Sequence, residues 1–250
     1  MVSARQGNAR HPTPQAQLRS PSSGSTASAA RITVVDDHLL FVEMLELSLT
    51  REGHDVRTVA VSDPRVQARH LCSAILRTRP QIVLLDLDLG LQVDGVCFVE
   101  PLQRAGVAVI VVTGDEDETR WGECIARGAR IVLPKSASLD TILRTVRRVA
   151  EGRPVMGPEE ADRLLRRYRQ ELGWVQDVRA RLDTLTPRER EILAALMSGQ
   201  NVHDIARAAL VSEATVRSQV KSVLAKLHVS SQLAAVGIAH KAHWLEPHSA

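Results

Sequence analysis

At 250 residues the chain can hold roughly two domains of ordinary size. Its hydrophobic content of 44% suffices for sizeable cores, and with aromatics at 2% those cores must be aliphatic. The formal net charge of +3 is unevenly spread: residues 31–152 carry 15 Lys/Arg against 18 Asp/Glu, residues 153–250 carry 14 against 11, and Arg5, Arg10 and Arg19 supply the remainder. A mildly basic C-terminal half suits a nucleic-acid partner, although on charge alone an ordinary solvated surface is the simpler account. No apolar run approaches the ~20 residues of a membrane span, and the N-terminus lacks a signal-peptide apolar core. Cys72, Cys97 and Cys124 lie among apolar residues without metal spacing, which predicts small buried side chains in a reducing compartment. A cytoplasmic protein without a membrane partner is the expectation.

Residues 1–30 are rich in Ser, Pro, Gln, Ala and Arg and cannot bury enough surface to offset their ordering entropy, so a disordered tail is expected. From Arg31, short β-branched runs at 32–36, 56–61, 82–86, 107–113 and 131–133 alternate with segments of helical length and period at 39–51, 64–77, 96–104, 116–127 and 139–151. Several strands are apolar throughout, as when both faces of a sheet are covered. Residues 31–152 are therefore expected to form a doubly wound, five-stranded parallel sheet. Residues 153–183 read as a helical linker: one helix over 159–172 ending near Gly173, and a second over 177–182. Its Arg166–Arg169 cluster reads as an exposed helix face. Residues 184–250 read as an all-helical domain of four helices. Thr186-Pro187-Arg188-Glu189 is a capping box with Pro at the first helical position, opening a helix that stops near Gly199. Further helices are expected over 202–208, over 213–228 with Ser212 as N-cap, and over 232–243.

Three expected strand ends carry polar residues where a doubly wound sheet binds its ligands. Asp36 and Asp37 close the first strand and Asp86 closes the third. Thr113 closes the fourth, and Lys135 follows the fifth. Taken singly, each has an ordinary explanation as a cap, turn, surface charge or β-former. All five in this order predict a pocket of three carboxylates, a hydroxyl and an ammonium. Clustered carboxylates need a cation, and an all-oxygen donor set suits Mg²⁺. In such a pocket Asp86 can act as a nucleophile toward a phosphoryl group, with Lys135 and Thr113 contacting its oxygens.

Val34-Val35-Asp36-Asp37-His38, Leu84-Leu85-Asp86-Leu87, Val111-Val112-Thr113-Gly114 and Leu133-Pro134-Lys135-Ser136 resemble the receiver domain of two-component response regulators, a flavodoxin-like fold. The resemblance implies that Asp86 is the phospho-acceptor and that a sensor histidine kinase is the donor. It further implies that Asp36 and Asp37 hold Mg²⁺ together with Asp86 and the backbone carbonyl of Asp88, and that Thr113 and Lys135 contact the phosphoryl group. The chain departs from the family in the longer run Asp88-Leu89-Gly90-Leu91-Gln92-Val93-Asp94-Gly95 after the acceptor. Val132 stands at the position of the family's switch aromatic, and Pro134 precedes the lysine.

Along 213–228, Val216, Val220, Val223, Leu224 and Leu227 form one apolar stripe. The opposite side presents Ala214, Arg217, Ser218, Lys221 and Ala225. Small residues around two cations let a helix enter a major groove, with Arg217 directed at a guanine or a phosphate and Lys221 at a phosphate. Solvated charges on an amphipathic helix are the plainer account. The run Leu185-Thr186-Pro187-Arg188-Glu189-Arg190-Glu191, then Asp204-Ile205-Ala206, Val211-Ser212, Thr215-Val216-Arg217 and Lys226-Leu227, resembles the LuxR-type helix-turn-helix. The resemblance implies double-stranded DNA as partner, with Arg217, Ser218 and Lys221 facing it. It also implies a homodimer on DNA through the last helix, where Leu233, Val236 and Ile238 supply apolar contact. The order of the two domains resembles response regulators of the NarL/FixJ type, transcription regulators rather than enzymes. Two alternatives have specific signatures. A Mg²⁺-dependent aspartyl-phosphate enzyme shares the pocket chemistry, but the chain has no P-loop and no cap domain. A regulator that binds DNA without phosphorylation would not require all five pocket residues.

Overall fold

The structure, a computed structural model, describes residues 29–59, 61, 68–90 and 94–244. Most of the expected tail, the start of the second expected helix and the middle of the long loop after Asp88 lie outside the described residues. The described order begins β1 (Arg31–Val35), α1 (Leu39–Arg51), β2 (Asp55–Thr58), α2 (Ala68–Arg77) and β3 (Ile82–Leu85). A 3₁₀ turn (Gly95–Phe98), α3 (Val99–Arg104), β4 (Ala108–Thr113), α4 (Glu118–Ala126), β5 (Ile131–Pro134) and α5 (Leu139–Ala150) complete the first domain.

The strands form one sheet in the order β2-β1-β3-β4-β5, with every pairing parallel. The chain winds from β1 outward to β2 and then back past β1 to β3. The switch point, where a doubly wound sheet opens its crevice, therefore lies between β1 and β3. Alternate side chains of each strand serve opposite faces. Val35, Val83, Leu85, Val109, Val111 and Val132 join the core shared with α2, α3 and α4. Ile32, Val34, Ile82, Leu84, Ile110 and Val112 join the core shared with α1 and α5. Both faces are dry, which is why these strands show no polar alternation.

Two details differ from the sequence expectation. The expected helix over 96–104 starts as a 3₁₀ turn because the Asp94 side chain accepts from the Val96 amide at 3.0 Å and tightens the entry. The expected pair of linker helices is instead one helix, α6 (Pro158–Asp183), of 26 residues. Gly173 inside it costs only about 1 kcal/mol relative to Ala. The apolar positions continue past it through Trp174, Val178 and Leu182, which pack into the C-terminal core, so tertiary burial overrides the local break. Cys124 is buried as expected, while Cys72 and Cys97 are half-buried.

The second domain comprises α7 (Pro187–Met197), α8 (Val202–Ala208), α9 (Glu213–Leu227) and α10 (Gln232–Lys241). The Thr186/Glu189 capping box is formed, and Ser212 caps α9 through the Thr215 amide. No single helix among the described residues is long and apolar enough to cross a membrane.

Ile142 of α5 is fully buried against the sheet. Ile142→Ala should destabilise the first domain by about 2–5 kcal/mol, read as a lower urea midpoint with an unchanged slope.

Candidate functional site

The register Val35↔Leu85 sets the ends of β1 and β3 level. Asp36 and Asp86 consequently leave the sheet side by side, and the Asp86 amide donates to the Val35 carbonyl at 2.9 Å. The Lys135 amide donates to the Thr113 carbonyl at 2.7 Å, which turns the end of β5 toward the same crevice. Lys135 Nζ lies 2.7 Å from Asp86 Oδ2 and 2.8 Å from Asp36 Oδ2. Its ammonium also stands 5.4 Å from the centroid of the Phe41 ring. Asp86 is 2% exposed and Asp36 7%, whereas Asp37 is exposed. The Asp88 amide donates to Asp86 Oδ1 at 3.3 Å.

Burial pushes the Asp86 carboxyl above the usual carboxylate range and the neighbouring Asp36 adds to this, while Lys135 and the Asp88 amide oppose it. Burial alone would lower the Lys135 ammonium, but its hydrogen bonds to Asp36 and Asp86 outweigh that and raise it. The pocket thus holds a fixed cation between two desolvated carboxylates. Gly95 is required beneath it: a Cβ there would sit 2.5 Å from the Asp86 carbonyl oxygen.

Asp36, Asp37 and Asp86 converge as expected from the sequence. Thr113 closes β4 and is fully buried, its Oγ1 accepting from the Asp115 amide at 3.1 Å. His38 belongs to the pocket, although the sequence reading gave it no role. Its Nδ1 lies 2.7 Å from Asp37 Oδ1 and 3.1 Å from Lys135 Nζ. Its place immediately after Asp37 was the available signal. Ligand atoms of Asp36, Asp37, His38 and Asp86 all lie within 4.8 Å of one another. Arg120 was also missed. It pairs with Asp115 and with Asp94 at 2.8 Å, joining the loops that follow β3 and β4.

The second candidate surface is α9. Val216, Val220, Val223 and Leu227 are buried, while Ala214, Arg217, Ser218, Lys221 and Ala225 are exposed. Arg217 is held by Glu213 at 2.8 Å, and Glu213 also meets His203 at 3.0 Å. On α10, Leu233 is exposed as expected. Val236 and Ile238 instead pack against the domain's own core, because the helix is short and its other face is needed there.

Beneath α9 lies a buried carboxylate that joins two helices. Glu189 accepts from Lys226 Nζ at 2.6 Å and from Ser222 Oγ at 2.6 Å, besides the Thr186 amide at 2.8 Å. Burial would raise this carboxyl, but the hydrogen bonds from Lys226, Ser222 and Thr186 outweigh it and hold it at about 2.

Comparison with known proteins divides the chain at the same place. Residues 32–147 match the response regulator receiver domain family, and residues 183–239 match the bacterial regulatory proteins of the luxR family. The nitrate/nitrite response regulator protein homolog of Haemophilus influenzae is 30% identical, over 82% of this chain and 93% of that protein. The chain is a response regulator of the NarL/FixJ type. The regulator is also 28% identical to the transcriptional regulatory protein DegU of Brevibacillus brevis, over 86% of this chain and 95% of that one. The structure of the two-component response regulator RcsB in complex with DNA is 19% identical, with a TM-score of 0.45, over 86% of the regulator and 99% of that chain. A receiver domain joined to a LuxR-type DNA-binding domain makes this protein a transcription regulator.

Glu189 gives a pH prediction. Its folded-state pKa is depressed from 4.5 to about 2, so its contribution is complete above pH 4.5 and is lost as pH falls toward about 2. The melting temperature of the C-terminal domain should fall through that window. Glu189→Gln should remove that dependence and cost about 1–3 kcal/mol at neutral pH, measured by circular dichroism across a pH series.

Proposed function

We propose that the regulator accepts a phosphoryl group on Asp86 from the phosphohistidine of a sensor histidine kinase, and that this state controls binding of α9 to double-stranded DNA. The observation that carries the reading is the Lys135 ammonium held against both Asp36 and Asp86. An Asp86 oxygen attacks phosphorus and the phosphorus–nitrogen bond breaks, its electron pair staying on the nitrogen; the ring, already protonated on its other nitrogen, leaves as neutral imidazole. Lys135 stands where it can pair with a phosphoryl oxygen, and Thr113 can turn its hydroxyl from the Asp115 amide toward another. The donor set fits a hard cation, because oxygens of three carboxylates lie within 4.8 Å of one another. Asp36, Asp37, Asp86 and the Asp88 backbone carbonyl would hold Mg²⁺, which when bound offsets charge on the phosphoryl oxygens.

On the output side, Arg217, Ser218 and Lys221 would meet DNA. Arg217 must leave Glu213 to reach a guanine or a phosphate, which favours duplexes offering a bidentate acceptor. Leu233 of α10 is the exposed apolar residue available for a second copy on a two-fold site. A transcription regulator of this kind acts in the cytoplasm.

Acetyl phosphate with Mg²⁺ should give the wild-type regulator an acid-labile label that Asp86→Ala lacks. Absence of label on the wild type would remove the switch. Lys221→Ala should weaken binding to duplexes of any sequence and lower the slope of log affinity against log salt by about 1. An unchanged slope would exclude Lys221 as a phosphate contact.

A further inference from the structure

Arg217 does not stand alone on the outer side of α9. Its Nη2 donates to Glu213 Oε2 at 2.8 Å. Glu213 Oε1 meets His203 Nδ1 at 3.0 Å, so one carboxylate bridges α9 to α8. An ionised carboxylate only accepts, which places the proton on His203 Nδ1, and the neutral ring is sufficient for this. His203 and Arg217 are exposed, and Glu213 is half-exposed.

A carboxylate in the first turn of a helix suits the helix dipole. Capping of α9, however, is already done by Ser212, whose Oγ accepts from the Thr215 amide at 3.1 Å. The hydrogen bonds from His203 and then Arg217 hold the Glu213 carboxyl below the usual carboxylate range. A standing negative charge therefore sits at the end of the helix that meets base edges.

That charge restricts what Arg217 can meet. The two residues are four apart and share one face of the helix. A phosphate drawn to Arg217 would also approach the Glu213 carboxylate, and like charges brought together across an interface oppose binding. A guanine edge offers N7 and O6, two neutral acceptors that a guanidinium takes together. The carboxylate then requires a donor. In the major groove that donor is an exocyclic amino group, and cytosine N4 suits a carboxylate better than adenine N6, which has the N7 acceptor beside it. Four residues advance about 6 Å along a helix, and base pairs follow one another at roughly 3.4 Å. The amino group would thus lie one or two base pairs from the guanine.

We propose that His203, Glu213 and Arg217 form one base-reading unit. Arg217 takes a guanine, and Glu213 takes the amino group of a cytosine one or two base pairs away. His203 is the positioning residue that keeps the carboxylate aimed once Arg217 has swung from it. Glu213 is then a specificity determinant that also rejects thymine, whose O4 is an acceptor. The assignment rests on α9 being the helix that meets DNA.

The experiment is selection of bound duplexes from a randomised pool by the full-length regulator, with and without acetyl phosphate and Mg²⁺, followed by affinities for single-base variants of the selected site. The wild type should select a guanine with a cytosine one or two base pairs away. Exchanging that cytosine for thymine should weaken binding at least about fivefold. Glu213→Ala should keep the guanine and bind the cytosine and thymine sites alike. Glu213→Gln, whose amide both donates and accepts, should move the preference to adenine. His203→Ala should reduce the discrimination without abolishing it. Thermal melting checks that each variant is folded. A Glu213 that serves only the helix would change melting and overall affinity but leave the base preference in place, and that result would overturn the proposal. Arg217→Ala separates the two levels. If it loses the guanine while Glu213→Ala keeps the cytosine, the carboxylate is no reader. If the wild type selects no sequence, or its selection survives Arg217→Ala intact, the DNA reading of α9 fails and the unit fails with it.

Discussion

The structure turns on one ammonium group between two carboxylates. Parallel pairing of β1 with β3 forces Asp36 and Asp86 together at the edge of a dry sheet. Two desolvated like charges at that distance are unfavourable unless a cation is supplied. The Lys135 side chain supplies it, and only because β5 ends beside β4, bringing Lys135 back to the Thr113 carbonyl. Sheet order, crevice and charge balance are therefore one constraint. On the proposed function, Asp86 would meet an incoming phosphoryl group with Lys135 already in place to receive its charge.

The DNA-binding half repeats the principle with a different purpose. Glu189 is a buried carboxylate matched to Lys226, with Ser222 and Thr186 filling its remaining acceptor positions. The pairing fixes α9 against the start of α7 and so determines which side chains of α9 point outward. In the receiver the paired carboxylates lie at the crevice between β1 and β3. Here the carboxylate is a fastening between α7 and α9, held by Lys226, Ser222 and Thr186.

The sequence revealed the alternation of strands and helices because aliphatic strands and capped helices are local signals. Val83-Leu84-Leu85 and the Thr186/Glu189 box require no knowledge of the fold. The convergence of Asp36, Asp37, Asp86 and Lys135 was legible because parallel sheets gather strand ends on one edge. What escaped were contacts that only tertiary packing creates. His38 sits in the pocket because α1 starts there, Arg120 because two loops meet, and Ser222 and Lys226 because α9 crosses Glu189. Gly173 read as a break because its conformational cost is local, whereas the burial of Val178 and Leu182 that overrides it is not. Val236 and Ile238 read as free for a partner because a helical stripe does not say which neighbour it meets.

The helix α6 is seated twice, through Leu164 on α4 of the receiver and through Val178 and Leu182 in the C-terminal core, and this limits how the protein can be recombined. A chimera spliced after Asp183, where the helix ends, would keep Leu164 on its receiver but strip Val178 and Leu182 from the transplanted domain. A junction inside the helix would divide one seat or the other. A junction at Gly157, ahead of the whole helix, would keep Val178 and Leu182 with the transplanted domain but would take Leu164 off α4 of the receiver.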